Sequence, residues 1–232
     1  MASDLAALCF DAHDPTALAR FWSELLGWEM VTDAADRVAL VPRDDTGYRL
    51  RFLPATAGKA GPNRVHLDLT SSTWDEQRAT VELVLARGGR HLDFVLGPDE
   101  HHVPLADPEG NELCVIGPGN RFLDGCGRIG AINCEGTRGV GHFWSEALGW
   151  PLVWDQDEET AIQSPRGGSK ITWSGPPVAP KTGAGRQHLD LVPSAGTDRA
   201  AEVARLVALG ATRLDQAQLA DPDGNEFCLA HG

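Results

Sequence analysis

The chain has no apolar stretch near the length of a membrane-spanning helix, so nothing in it predicts a helical membrane protein. Its first residues, MASDLAALCFDAHDP, lack both a basic segment and a sustained apolar core, and no secretory signal peptide is expected. Positive charge is scarce. Twenty Lys and Arg face 33 Asp and Glu, a formal net charge of −13. Nucleic acids and anionic membrane surfaces reward clustered cations, so neither is expected as a partner. Five cysteines, Cys9, Cys114, Cys126, Cys134 and Cys228, contain no C-x-x-C and cannot all pair with one another. Neither a zinc ribbon nor a disulfide framework is indicated, and a reduced, cytoplasmic setting is the simplest expectation.

What is present is the composition of a globular protein, 42% hydrophobic and 23% charged, in 232 residues. A chain of that size can bury a substantial core without covalent staples. The sequence also repeats itself. FWSELLGW at 21–28 returns as FWSEALGW at 143–150, and HLDL at 66–69 returns at 188–191, both shifted by 122 positions. Lys59 and Arg64 match Lys181 and Arg186 at the same shift. LADPEGNELC at 105–114 returns as LADPDGNEFC at 219–228, now shifted by 114, so the second copy has lost eight residues just upstream. Each copy is domain-sized and too long for a solenoid unit. The boundary is expected in the turn-rich GPGNRFLDGCG, 117–127, between domains at 1–118 and 127–232.

Within the first copy, LAALCF reads as a strand. A helix follows, with Asp14 as N-cap, Pro15 at its first position, Gly27 closing it, and Leu18, Phe21, Trp22 and Leu25 on one face. RVALV and YRLRFL read as strands. VHLDLT opens a second round with Val65, Leu67 and Leu69 on one face and His66, Asp68 and Thr70 on the other. An amphipathic helix over 74–87 leads to three further strand candidates, RHLDFVL, HHVPLAD and ELCVIG. The second copy repeats the order, with a helix over 198–209. DPEGN and DPDGN are first of all hairpin turns, since Asp-Pro starts a type I turn and the Gly takes the left-handed conformation.

Paired βαβββ modules carrying FW..LLGW, K....R.HLDL and LADPEGNE.C resemble the glyoxalase/bleomycin-resistance (vicinal oxygen chelate) superfamily, once per copy and across nearly the whole chain. The resemblance implies an α+β fold of two tandem domains, each a pair of βαβββ modules, with curved mixed sheets flanked by helices around a pocket. It implies nothing specific about activity, because the fold serves lyases, isomerases, dioxygenases and metal-free binders. Enzymes of the superfamily hold a divalent metal with four residues from the first and last strands of each module. Carried over, those positions fall on His66 and Cys114, with His188 and Cys228 in the repeat. The others fall near Ala7 and Ile129, and near Arg51–Phe52 and Thr172–Trp173, where no carboxylate or imidazole stands. No cofactor is therefore favoured. If a divalent ion binds, the expected set is His66, Glu112 and Cys114, with His101 or His102 from the adjoining strand, and Zn²⁺, Ni²⁺, Mn²⁺ or Fe²⁺ as candidates.

The residues expected to line a ligand pocket are His66, Asp68, Glu112, Cys114, Trp173, His188, Asp190, Glu226 and Cys228. Each also has a plainer reading. The histidines can be hydrogen-bonded within the sheet, and the cysteines can be small core residues. Glu112 and Glu226 can pair with Lys59 or Arg64 or cap the turn. Trp22 and Trp144 lie on apolar helix stripes and are expected in the core, which leaves Trp173 as the aromatic pocket candidate. The deletion in the second copy makes the two pockets unequal. Small-molecule binding, with an aromatic or drug-like compound as the candidate ligand, is the expected function. A metal-dependent lyase, isomerase or dioxygenase and a partner-binding protein on a vacant fold are the alternatives. A monomer is expected, with a homodimer the alternative.

Overall fold

The computed structural model describes residues 3–93 and 101–230. The first repeat runs β1 (Ser3–Ala12), α1 (Pro15–Leu26), β2 (Glu29–Ala34), β3 (Arg37–Val41), β4 (Arg49–Pro54), β5 (Val65–Leu69), α2 (Trp74–Ala86), β6 (Arg90–His91), β7 (His102–Ala106) and β8 (Glu112–Ile116). A linker with one 3-10 turn, Arg121–Leu123, leads to the second: β9 (Ile129–Cys134), α3 (Arg138–Leu148), β10 (Leu152–Gln156), β11 (Glu159–Gln163), β12 (Lys170–Trp173), β13 (Gln187–Pro193), α4 (Arg199–Leu209), β14 (Thr212–Arg213), β15 (Gln218–Ala220) and β16 (Glu226–Leu229). The strand expected over RHLDFVL is present only as β6, and residues 94–100 lie outside the described residues.

These sixteen strands form two curved, mixed, eight-stranded sheets, ordered β14-β15-β16-β13-β1-β4-β3-β2 and β10-β11-β12-β9-β5-β8-β7-β6. Each sheet therefore joins one module of the first repeat to one module of the second. The joins are antiparallel, β1 with β13 and β5 with β9. The sequence leaves open which modules pair, and the pairing is between repeats.

The helix signals act as their chemistry dictates. Asp14 accepts the Ala17 amide at 2.9 Å, and Gly27 and Gly149 close α1 and α3 at φ +69° and +65°. Leu18, Phe21, Trp22 and Leu25 are buried on α1, each large apolar side chain contributing about 1.5–3 kcal/mol. The two repeated phrases hold each other. Trp22 Nε1 donates to Asp107 at 3.1 Å, and Trp144 Nε1 donates to Asp221 at 3.1 Å. Each bond ties a helix packed on one sheet to a hairpin turn of the other. Glu109, in the first turn, accepts the amides of His13 and Asp14 at 2.9 Å and pairs with Arg186 at 2.6 Å. Asp223 accepts the Thr137 amide at 2.6 Å in the second. The DPxGN phrase is thus the joint between the two halves of each repeat.

Candidate ligand cavity

Strand alternation sends Val65, Leu67 and Leu69 of β5 toward the helices and turns His66 and Asp68 to the concave side of the second sheet. Across β12, β9, β5 and β8 the register sets Thr172 opposite Asn133, Asn133 opposite His66, and Asp68 opposite Cys114. The first sheet repeats the frame with other residues. Arg51 lies opposite Cys9, Cys9 opposite His188, and Asp190 opposite Cys228. By position, Cys9 corresponds to Asn133 and Arg51 to Thr172.

This corrects the register read from the sequence, which pairs Ala7 with Ile129 by extending the helix shift of 122 into the strand. The loop before α1 is two residues longer than its counterpart, so the strands align at a shift of 124. Setting LAALCF directly over IGAINC shows it. Cys9 escapes the sequence reading for that reason.

In each sheet three donor atoms converge: His66, Asp68 and Cys114 in the second, and Cys9, His188 and Asp190 in the first, within 4.8 Å of one another in each group. Nε2 of His66 and of His188 lies 3.4 Å from Oδ1 of Asp68 and of Asp190. Burial pushes the His66 pKa down, but its contacts with Asp68 and Cys114 outweigh this and raise it to about 10. His188 is likewise raised well above the usual imidazole range, against burial, by Asp190, Cys228 and Cys9. Asp190 is lowered despite its burial, chiefly by His188. Burial drives the Cys9 thiol up to about 12, which makes it an inert core thiol.

Glu112 is not part of the converging group, and Asp68 takes the place expected for it. The Glu112 carboxylate pairs with Lys59 and accepts the Asn63 amide at 3.2 Å, and Lys59 also donates to the Gly110 carbonyl at 2.6 Å. Glu226 does the same with Lys181 and the Gly185 amide. These carboxylates clamp the loops that follow β4 and β12. His102 sits opposite Ile116, and the His101 ring packs edge-on against Trp74, so neither joins His66. Trp173 borders the cavity, but its side chain is only 1% exposed and lies beside Gly136 and Val140 in the core.

A cavity of about 370 Å³ opens on the concave side of the second sheet. Asp68, Asn133 and Thr172 contribute to its floor, and Phe122 and Trp154 to its wall. The two rings meet edge-on with centroids 6.1 Å apart and are 36% and 38% exposed, and the Lys170 ammonium lies over the Phe122 ring at 5.2 Å. Thr172 Oγ1 is buried with no hydrogen-bond partner among the described residues. Glu159, at the rim, has no ion-pair partner among them. Phe122 comes from the linker and Trp154 from an edge strand, and no periodic signal marks either as part of a site. On the first sheet the Arg51 guanidinium occupies the corresponding place, 3.1 Å from Asp190 and 3.1 Å from Asp33.

The two donor groups differ as metal sites. In the first sheet Arg51 is a fixed cation beside Asp190, and a divalent ion does not fit next to it. In the second, His66, Asp68 and Cys114 present three donor atoms with no fixed cation from an Arg beside them, the number of protein ligands an open site would need. An ion there has to displace the His66 proton, and Asn133 and Thr172, at the other two strand positions, offer only an amide and a hydroxyl.

A family model described as a glyoxalase-like domain matches residues 7–116 and again 130–230. Among solved structures, glyoxalase I from Zea mays superposes with a TM-score of 0.67 at 13% identity, covering 98% of this chain and 92% of that one. A glyoxalase I mutant from Zea mays gives 0.66 at 14% identity, covering 99% and 94%. At such identities the likeness is one of fold. No curated protein matches the chain in sequence.

Proposed function

We propose, for a chain that belongs to the glyoxalase-like domain family, that the second sheet's cavity binds one small aromatic molecule carrying a basic group, and that binding needs no metal. The observation that carries this reading is the pairing of two half-exposed rings, Phe122 and Trp154, with a polar floor whose Thr172 hydroxyl has no partner. About 370 Å³ is within the size of ordinary ligand pockets. An aromatic ring offered to Trp154 gains stacking, and a buried hydroxyl gains the hydrogen bond it lacks. Asp68 is paired with His66, and Lys170 stands against Phe122, so the unpaired charge in the lining is Glu159; a cationic substituent on the Trp154 and Glu159 side of the cavity is favoured over an anionic one.

Calorimetric titration with matched sets of small aromatic amines, aromatic acids and neutral aromatics tests this. The amines are expected to bind at one per chain and to raise Tm. Trp154→Ala is expected to weaken them by roughly tenfold, about 1.4 kcal/mol. Equal binding of the acids, or amine binding that Trp154→Ala leaves unchanged, contradicts the reading.

The convergence of His66, Asp68 and Cys114 favours a second reading, a metal-dependent enzyme of the family type at the edge of the same cavity. On that reading His66, Asp68 and Cys114 would hold the ion, which would supply Lewis acidity, and Asn133 and Thr172 would orient the substrate. Elemental analysis and Co²⁺ spectroscopy separate the two. A stoichiometric Co²⁺–thiolate band that is lost in Cys114→Ser supports the enzyme reading.

A further inference from the structure

Cys126 and Lys170 meet where the linker crosses the second sheet. Lys170 Nζ lies 3.4 Å from Cys126 Sγ, and Gln163 Nε2 approaches the same sulfur at 3.8 Å. Lys170 is only 7% exposed. Among the described residues its ammonium has no carboxylate partner; it faces the thiol and, at 5.2 Å, the Phe122 ring. A buried cation is normally paired with an anion, so the sulfur is the group this lysine is held against.

The repeated architecture does not account for the pair. Register makes Arg49 the counterpart of Lys170, since Arg49 lies opposite Ala7 and Lys170 opposite Ala131. The Arg49 side chain is 49% exposed and points to Asp33 at 3.9 Å. Cys126 belongs to the linker, which has no counterpart at all. Cys126 is half-buried and borders a neighbouring surface cavity of about 300 Å³ that shares Ile116, Asn120 and Leu123 with the ligand cavity and also touches Ser71, Gly119 and Asp124. A small oxidant can enter there and reach the sulfur while Lys170 is kept in place behind it.

We infer that Cys126 and Lys170 form a covalent cross-link, a sulfenamide, when the protein meets hydrogen peroxide. In the first step the sulfur takes one peroxide oxygen. The S–O bond forms, the O–O bond breaks, water leaves, and the thiol is oxidised by two electrons to a sulfenic acid. The Lys170 ammonium then gives one proton to solvent, and the lone pair of the resulting amine attacks the sulfur. The S–N bond forms and the S–O bond breaks, and the oxygen departs as a second water with a proton from the nitrogen. One thiol, one ammonium and one peroxide thus give one sulfenamide, two waters and one proton. The bond ties the linker to β12 directly behind Phe122, so the oxidised protein has a fixed ligand-cavity wall. The cross-link itself does not depend on what the cavity binds.

The test is intact-mass and peptide mapping of the whole protein after brief hydrogen peroxide treatment. The expected product has lost two hydrogens, about 2 Da. It contains a linked peptide pair joining Cys126 to Lys170 and returns to the starting mass with a thiol reductant. Lys170→Gln and Lys170→Arg are expected to stop at the sulfenic acid or go on to the sulfinic acid. The inference is overturned if Cys126 in the wild-type protein becomes sulfinic acid, or stays unmodified, while the Lys170 peptide remains free. The wild-type map decides the matter even if a variant does not fold.

Discussion

Asp107 accepts four hydrogen bonds, from Trp22 Nε1, the amides of Glu109 and Asn111, and the Asn111 side chain, and Asp221 repeats all four with Trp144, Asp223 and Asn225. Removing such an acceptor strands buried donors. Asp107→Ala is expected to lower stability by about 2–4 kcal/mol, read as a lower urea midpoint, and Asp221→Ala to do the same. Glu202 provides the pH dependence. It is buried on α4, bonded to Ser3 Oγ and paired with Arg205, which in turn donates to the carbonyls at the end of α3. Burial pushes its pKa up, but Arg205 and Ser3 outweigh that and lower it. A lowered carboxylate contributes stability above its unfolded value and loses it as pH falls through the folded one. Glu202→Gln is therefore expected to cost about 1–2 kcal/mol at pH 7. Urea unfolding in acid should show the gap closing as pH drops below about 4. A gap of the same size at both pH values argues against this role for the carboxylate.

Helix α3 presses on β11 at Gly141, where a Cβ would collide with the Thr160 side chain. Gly141→Ala is expected to cost about 1–3 kcal/mol through overpacking. Thr160→Ala removes the hydroxyl, which is buried without a partner, but keeps a Cβ 2.5 Å from the new methyl, so it is expected to recover part of the cost, and Thr160→Gly to relieve more of the clash. A double-mutant cycle on urea midpoints measures the coupling. At this scale most of the fold is legible in the sequence. Asp14, Pro15 and Gly27 mark α1, alternation marks β5, and the duplicated phrases mark two equivalent halves. The site is less legible. Glu112 and Cys114 share a face by strand period, yet Lys59 draws the Glu112 carboxylate away to a loop, and period alone does not carry that contact. Trp173 alternates onto the helix side with the core, in register with Thr160, so its ring packs beside Gly136. Phe122 and Trp154 reach the cavity through tertiary placement of a linker and an edge strand.

Both sheets are built across the repeats, so neither repeat contains a complete sheet. The pattern of each strand is the same whichever partner it takes, and the sequence leaves that choice open. An isolated 1–118 fragment leaves the β1 and β5 edges unpaired, which templates association. It is expected to elute as a dimer or aggregate on size exclusion, and a stable folded monomer at micromolar concentration argues against sheets shared between the repeats. The same construction has let the two concave faces diverge. Arg51 fills the first, while the second keeps its cavity between Asp68, Thr172, Phe122 and Trp154. The most direct measurement is a crystal of the protein soaked with small aromatic amines and solved at high resolution. The expected result is one molecule per chain, with its ring against Phe122 and Trp154, a hydrogen bond to Thr172 Oγ1, and nothing beside Arg51. Ligand density next to Arg51 and His188, with the second sheet's cavity left in water, would contradict aromatic binding at the second sheet.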